Sequence, residues 1–251
     1  MAERRKWTAY EVREALALYL VTDFGRFHSR NPDIIALAEK LGRTPSSIAL
    51  KLANLAALDD SLPQKGMANA SALDRLIWAE YLEQPDAVIA AFARQFVGVR
   101  EHAGAGIGLA ENPAAFDHRG GIRPVQNMQR VGQDLFRRTV LTSYRGRCAL
   151  TGIDDARLLT ASHILPWSEA PQMRMRPTNG ICLNALHDRA FDRDLISFDP
   201  DGHLLVSPRL SASSREQLLR GCKGKLEPPS RFSPDADLMA QHRSRFEALS
   251  A

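Results

Sequence analysis

The run from Leu158 to Trp167 is apolar enough for a buried strand, and Pro166, which cannot donate to a sheet ladder, stops it. Asn179-Gly180 then marks a tight turn, and Ile181-Cys182-Leu183 reads as a second short strand. Asn184 to Asp192 has helical spacing, with Leu183, Leu186, Ala190 and Phe191 on the buried side. The order is strand, long loop, strand, helix: a small ββα unit. His163 ends the first strand, Asn179 lies 16 residues further on, and His187 rides on the helix. This spacing predicts that the two imidazoles face one another across the unit.

Four blocks of this region carry a resemblance: Cys148-Ala149-Leu150-Thr151-Gly152, Ala161-Ser162-His163-Ile164-Leu165-Pro166-Trp167, Asn179-Gly180-Ile181-Cys182-Leu183-Asn184, and Leu186-His187-Asp188-Arg189-Ala190-Phe191-Asp192. In this order they resemble the HNH endonuclease family, in the branch common in bacterial restriction and defence proteins. With Arg130-Val131-Gly132-Gln133 and Phe136-Arg137-Arg138 the resemblance covers residues 126 to 208. It implies a ββα-metal nuclease that hydrolyses phosphodiester bonds. Such hydrolysis needs a base to activate water and positive charge on the developing oxyanions, which a neutral imidazole and a divalent ion supply. By resemblance His163 is the general base and His187 a metal ligand. Asn179 braces the long loop and orients the base, and the ion stabilises the departing 3′ oxygen to leave a 5′ phosphate.

Many members of the family place Asp immediately before the base, where this chain has Ser162. A site with few protein ligands suits Mg²⁺ or Mn²⁺, because magnesium keeps several waters and takes one or two protein groups. Ser162 and Asp192 are the remaining candidate ligands, with Asp188 beside them; for both acids, surface charge or a local Arg pair is the reading that spacing favours. Cys148 opens a pattern that in many relatives is Cys-x-x-Cys, but the partner position here is Thr151. Cys148, Cys182 and Cys222 are never paired at zinc spacing, so no structural zinc is expected. The odd, low cysteine count suits a reducing cytosol. No signal-peptide core and no apolar run approaching the ~20 residues of a membrane span is present, and the expectation is a soluble cytoplasmic protein with no membrane partner.

The 251 residues, 44% of them hydrophobic, suggest one large or two small globular domains. The Gly-rich stretch from Ala103 to Gly108, continuing through Asn112-Pro113 to Gly120-Gly121, divides them. The expected organisation is a helical domain over 1–101, a linker over 102–125, and the nuclease domain with a C-terminal helix over 126–251. The fold class is therefore α+β.

In the helical domain, Thr8-Ala9-Tyr10-Glu11 is a capping box opening a helix through about Thr22. A second helix runs from Asp33 to Gly42, and Thr44 caps a third with Pro45 at its first position. Further helices are expected over 71–83 and 85–96. The second and third have the outline of a helix-turn-helix. The outward positions of the third are Ser46, Ser47, Lys51 and Asn54, with Arg43 at its start, and they are candidate DNA contacts. The alternative is a packing or dimerisation module.

The net charge of +4 lies wholly in residues 106–251. Arg119, Arg123, Arg130, Arg137, Arg138, Arg145 and Arg147 stand against Asp134 alone between Arg119 and Arg147. That is a candidate phosphate-binding approach, or else a solvated helix face.

The expected function is a metal-dependent endonuclease of a restriction or defence system acting on double-stranded DNA, with methylated or phosphorothioated DNA as the attractive target. Two other readings stay open: a non-catalytic DNA-binding regulator with a degenerate HNH core, and an RNA or structure-specific nuclease. One ββα site cuts one strand, so a duplex break needs two events or a homodimer.

Overall fold

The computed structural model describes residues 5–62, 69–97, 124–166 and 173–250. Helix α1 (Ala9–Val21) opens on a closed capping box: Thr8 Oγ1 accepts the Glu11 N–H, and the Glu11 carboxylate accepts the Thr8 N–H. Helix α2 (Pro32–Leu41) is capped by Asn31, whose Oδ1 takes the Asp33 N–H, and is ended by Gly42 in the left-handed region at φ +59°. Thr44 caps α3 (Pro45–Ala56), and α4 (Ala72–Glu83) and α5 (Asp86–Phe92) follow. The segment after α5 continues as a π-helical turn over Ala93–Val97. Leu16 and Tyr19, Ile34, Leu52, Ile77 and Phe92 bring the five helices together in one core.

The linker expected over 102–125 lies outside the described residues, apart from its last two positions, which begin α6 (Pro124–Ser143). Val131 and Leu135 of α6 join the core of the first five helices, as does Phe232 from far along the chain. Phe136 and Val140 of the same helix belong to a second core. One helix thus serves two cores. A second tie is Arg231, which is 2% exposed and donates to the carbonyls of Tyr19 (3.1 Å) and Leu20 at the end of α1.

The second core is built on β1 (Leu159–His163) and β2 (Gly180–Asn184), which pair antiparallel with His163 opposite Gly180. Helix α7 (Ala185–Asp192) leaves β2 directly, because Asn184 Oδ1 accepts the N–H groups of Leu186 and His187 and so starts the helix. The ββα order read from the sequence is therefore present. Its buried side differs in one place: Leu186 is 54% exposed, and His187, one position on, is buried instead. A hairpin of β3 (Ile196–Phe198) and β4 (Leu204–Val206) follows, then α8 (Ala212–Leu219) and α9 (Ala236–Ser250). The last helix closes over β3, where His242 Nδ1 meets Ser197 Oγ at 3.0 Å. Among the described residues this makes nine helices and two small antiparallel sheets, an α+β arrangement with no helix long and apolar enough to cross a membrane.

Gly180 is where α6 meets the sheet most closely. A Cβ there would stand 2.5 Å from Val140 Cγ2 and 2.8 Å from Phe136 Cζ. Gly180→Ala is therefore expected to push α6 off β2 and to cost about 1–3 kcal/mol, the usual range for an overpacked core. Urea unfolding would measure it, and an unchanged midpoint would mean that the helix yields freely.

Candidate active site at the ββα unit

His163 closes β1 and is partly buried. Its ring stacks on Phe136 of α6, with centroids 4.1 Å apart and planes 10° apart. Nε2 lies 3.2 Å from the Arg174 carbonyl oxygen. A carbonyl can only accept, so this contact selects the tautomer with Nε2 protonated and leaves the lone pair on Nδ1. Burial pulls the His163 pKa below the ordinary imidazole value of 6.5, and the Arg174 carbonyl opposes that only in part. The ring is neutral at pH 7, the form a general base needs.

Asn179 is 0% exposed and spans the entrance of the loop that follows β1. Its Oδ1 accepts the Leu165 N–H (2.9 Å), and its Nδ2 donates to the carbonyls of Leu165 (3.3 Å) and Met173 (3.4 Å). Its backbone carbonyl takes the Ile164 N–H at 3.0 Å. The amide thus clamps both ends of the loop, next to the residue that ends β1.

Ser162 alternates to the other side of β1 from His163. It is 1% exposed, and its hydroxyl lies close to the Asp188 carboxyl without completing a hydrogen bond of ordinary geometry. Burial raises the Asp188 pKa, against the Ser162 hydroxyl and the charges of Arg189 and Arg137, which lower it. A hydroxyl without a completed hydrogen bond and a desolvated carboxyl are both oxygen donors of the kind that suits a hard divalent cation. Asp188 is the member of this pair that spacing left as a surface charge. The signal available was its place on α7 opposite the residue preceding His163.

His187 does not share this face. It is 2% exposed and turned toward α8, with Nδ1 2.9 Å from Asn184 Oδ1 and Nε2 2.9 Å from the Leu218 carbonyl oxygen and 3.1 Å from Cys222 Sγ. With the Nε2 proton given to the Leu218 carbonyl, the one lone pair of the neutral ring is on Nδ1, which Asn184 Oδ1 covers at 2.9 Å, so neither nitrogen is turned out toward a metal. The facing imidazoles expected from spacing are therefore not found: one ring packs on α6 and the other under α8. Asp192 stands exposed on the last turn of α7.

Cys148 Sγ accepts the Asn184 N–H at 3.3 Å, and Thr151 Oγ1 accepts from Asn184 Nδ2 at 3.2 Å, so the Cys-x-x-Thr segment holds the end of β2. Asp199, Asp201 and His203 bring ligand-type atoms within 4.8 Å of one another on the β3–β4 turn. There Asp199 Oδ1 already accepts the N–H groups of Asp201 and His203.

The remaining candidate contacts are scattered. Arg119 and Arg123 lie outside the described residues. Arg137 donates to the Ala156 carbonyl (3.0 Å), and Arg138 pairs with Asp134 (3.2 Å) and lies over Phe92. Arg130, Arg145 and Arg147 are exposed, the last 3.3 Å from Asp154. On α3, Ser46 is exposed as spacing predicts, but Lys51 is not outward: its side chain is 5% exposed and pairs with the fully buried Asp74 at 2.7 Å. The reason is a carboxylate supplied by α4, 23 residues away. Arg43 is also folded back, bidentate on Glu11 and 3.9 Å above the Trp7 ring.

The segment is thus an antiparallel β-pair leading straight into a helix, with a histidine at the strand end and a hydroxyl–carboxyl pair beginning at the residue before it. Residues 148–199 match the family model described as HNH endonuclease, and the chain carries an HNH endonuclease domain there. Comparison with curated proteins gives no match. The domain implies a nucleic-acid substrate and a nuclease of the HNH kind.

Proposed function

We propose that the chain is a metal-dependent DNA endonuclease in which His163 is the general base. The observation that carries this reading is the His163 ring itself: neutral, fixed by Phe136 and the Arg174 carbonyl, and one residue from the Ser162–Asp188 oxygen pair. Nδ1 takes the proton from the attacking water. Asn179 is a positioning residue that holds the loop carrying the Arg174 carbonyl. Ser162 and Asp188 would hold a Mg²⁺ or Mn²⁺ ion, with Asp192 near the end of the same helix; His187 would join them only after leaving the Leu218 carbonyl. The ion supplies positive charge for the oxygens of the scissile phosphate. Exposed Arg130, Arg145 and Arg147 supply cationic surface for the flanking phosphates.

The biological reading is a cytoplasmic restriction or defence nuclease for which modified duplex DNA is the target and the α1–α5 region the reader, with pairing of two chains as one route to a double-strand break. The test is cleavage of otherwise identical plasmids, unmodified, cytosine-methylated, adenine-methylated and phosphorothioated, with Mg²⁺ or Mn²⁺ and with EDTA. Cutting of one modified plasmid, abolished by EDTA, is expected; equal cutting of all four would sink the modification reading and leave a general nuclease.

The engaged nitrogens of His187 favour a second reading, a DNA-binding regulator with an inactive HNH core. Binding with no cleavage under either metal would select it.

The pH profile gives a separate check. Because His163 must be neutral to act and its pKa is lowered, activity is present above that pKa and lost as pH falls through it. The acid limb of kcat/KM is expected at a midpoint below pH 6.5. Circular dichroism at each pH must show an intact fold, and a midpoint above 6.5 with the fold intact would remove His163 from the role.

A further inference from the structure

Beside α3 lies a cavity of about 300 Å³, at the small end of pockets that take small ligands. Ser47, Lys51 and Asn54 line it at i, i+4 and i+7, so a single face of α3 forms its floor. Trp7 is one wall, held by the Arg43 guanidinium stacked on its ring at 3.9 Å. Arg43 is itself fixed by Glu11 and by the Lys6 carbonyl at 2.8 Å, so the wall is built before any ligand arrives.

The floor has an unsatisfied complement. Lys51 Nζ carries three N–H donors; one goes to Asp74 Oδ1 at 2.7 Å, and the ammonium stands 4.7 Å from the centroid of the Trp7 ring. Asp74 is in turn occupied by the Ser71 N–H at 2.9 Å, so the carboxylate and ammonium cancel each other's charge in place. One turn further along α3, Asn54 Oδ1 is buried without any hydrogen-bond partner. A buried acceptor left empty is costly, and a ligand donor would relieve that cost. A donor and, one turn along the same helix, an orphaned acceptor have the polarity of the acceptor-and-donor edge that a nucleobase presents. At the rim Lys6 is exposed, and the Arg5 side chain is 58% exposed. Arg5 pairs with Glu11 through Nη2 and gives the same nitrogen to the Leu41 carbonyl, so Lys6 is the exposed cation of the rim and Arg5 adds its remaining donors where a phosphate attached to such a base would lie.

We propose that this cavity is a nucleotide-binding site, with the base edge on Lys51 and Asn54 and the phosphate on Lys6 and Arg5. The inference deepens the reading of the α1–α5 region as a DNA reader and rests on it only for the source of the nucleotide. An unstacked nucleotide of DNA and a free mononucleotide offer the same chemistry.

The test uses the full chain in EDTA, so that no cleavage is needed for it to succeed or fail. Calorimetric titration with each of the four deoxynucleoside 5′-monophosphates, and with inorganic phosphate, measures the site directly. Asn54→Leu is the variant, because replacing an orphaned buried acceptor by an apolar side chain of similar size leaves folding stability equal or higher. At least one mononucleotide is expected to bind, more tightly than phosphate and about tenfold more weakly to Asn54→Leu, while the variant melts no lower than the parent. A duplex carrying 2-aminopurine then separates the sources: brightening on binding identifies a nucleotide drawn out of DNA, and binding of mononucleotide without brightening identifies the free one. The absence of binding by every mononucleotide, phosphate binding as tightly, or an Asn54→Leu affinity within twofold of the parent would each overturn the proposal.

Discussion

His163→Ala is expected to lower DNA cleavage by roughly 10²- to 10⁴-fold, the usual consequence of losing a general base. The loss should fall on kcat, with DNA affinity in EDTA unchanged, because the ring is packed against Phe136 and the Arg174 carbonyl and is not presented to flanking phosphate. Removing it also leaves a gap beside Phe136, so unfolding must be measured in parallel. His163→Gln fills more of that space and still lacks an imidazole lone pair. If both variants cut as fast as the parent, the base lies elsewhere; if both lose only stability and the folded fraction cuts normally, the ring is a packing element.

Asn179→Ala is expected to have the second large effect, first on stability and through it on cutting. The substitution strips the partner from the Leu165 N–H and from the carbonyls of Leu165 and Met173, in a place where Asn179 itself has no exposure to water. At about 1–3 kcal/mol for each buried group left unpaired, and with some relaxation of the loop, the cost is about 2–4 kcal/mol. Urea unfolding gives that figure, and amide hydrogen exchange at Leu165 should accelerate more than at residues of α1. A change below about 0.5 kcal/mol would place this position among ordinary surface sites and remove the brace. Cleavage by the folded variant should fall while DNA binding persists, since the loop positions His163 and Asn179 does not touch the reacting atoms.

The elements that sequence revealed are those whose cause is local. Thr8 and Glu11 close a capping box within four positions, Gly42 adopts the left-handed turn that ends α2, and Thr44-Pro45 starts α3. The two strands and helix of the HNH segment follow from period and turn residues in the same way. What stayed hidden is what distant segments decide. Helical spacing sends Lys51 outward, but Asp74 on α4 provides a buried counter-charge and turns that face of α3 into the floor of a cavity. His187 sits at the helix position expected of a ligand, yet the Leu218 carbonyl and Cys222, from a segment beyond the β3–β4 hairpin, claim its ring. Asp188 looked like an exposed acid until β1 placed Ser162 against it.

The double duty of α6 bears on how such a nuclease can be taken apart. A fragment beginning at this helix would present Val131, Leu135 and Phe232 to water, and Arg231 would lose the Tyr19 and Leu20 carbonyls that now accept its protons. The half that carries the HNH segment is therefore not a cassette to be grafted onto another domain by fusion alone. A chimera would have to bring α1 with it, or resurface those four side chains first.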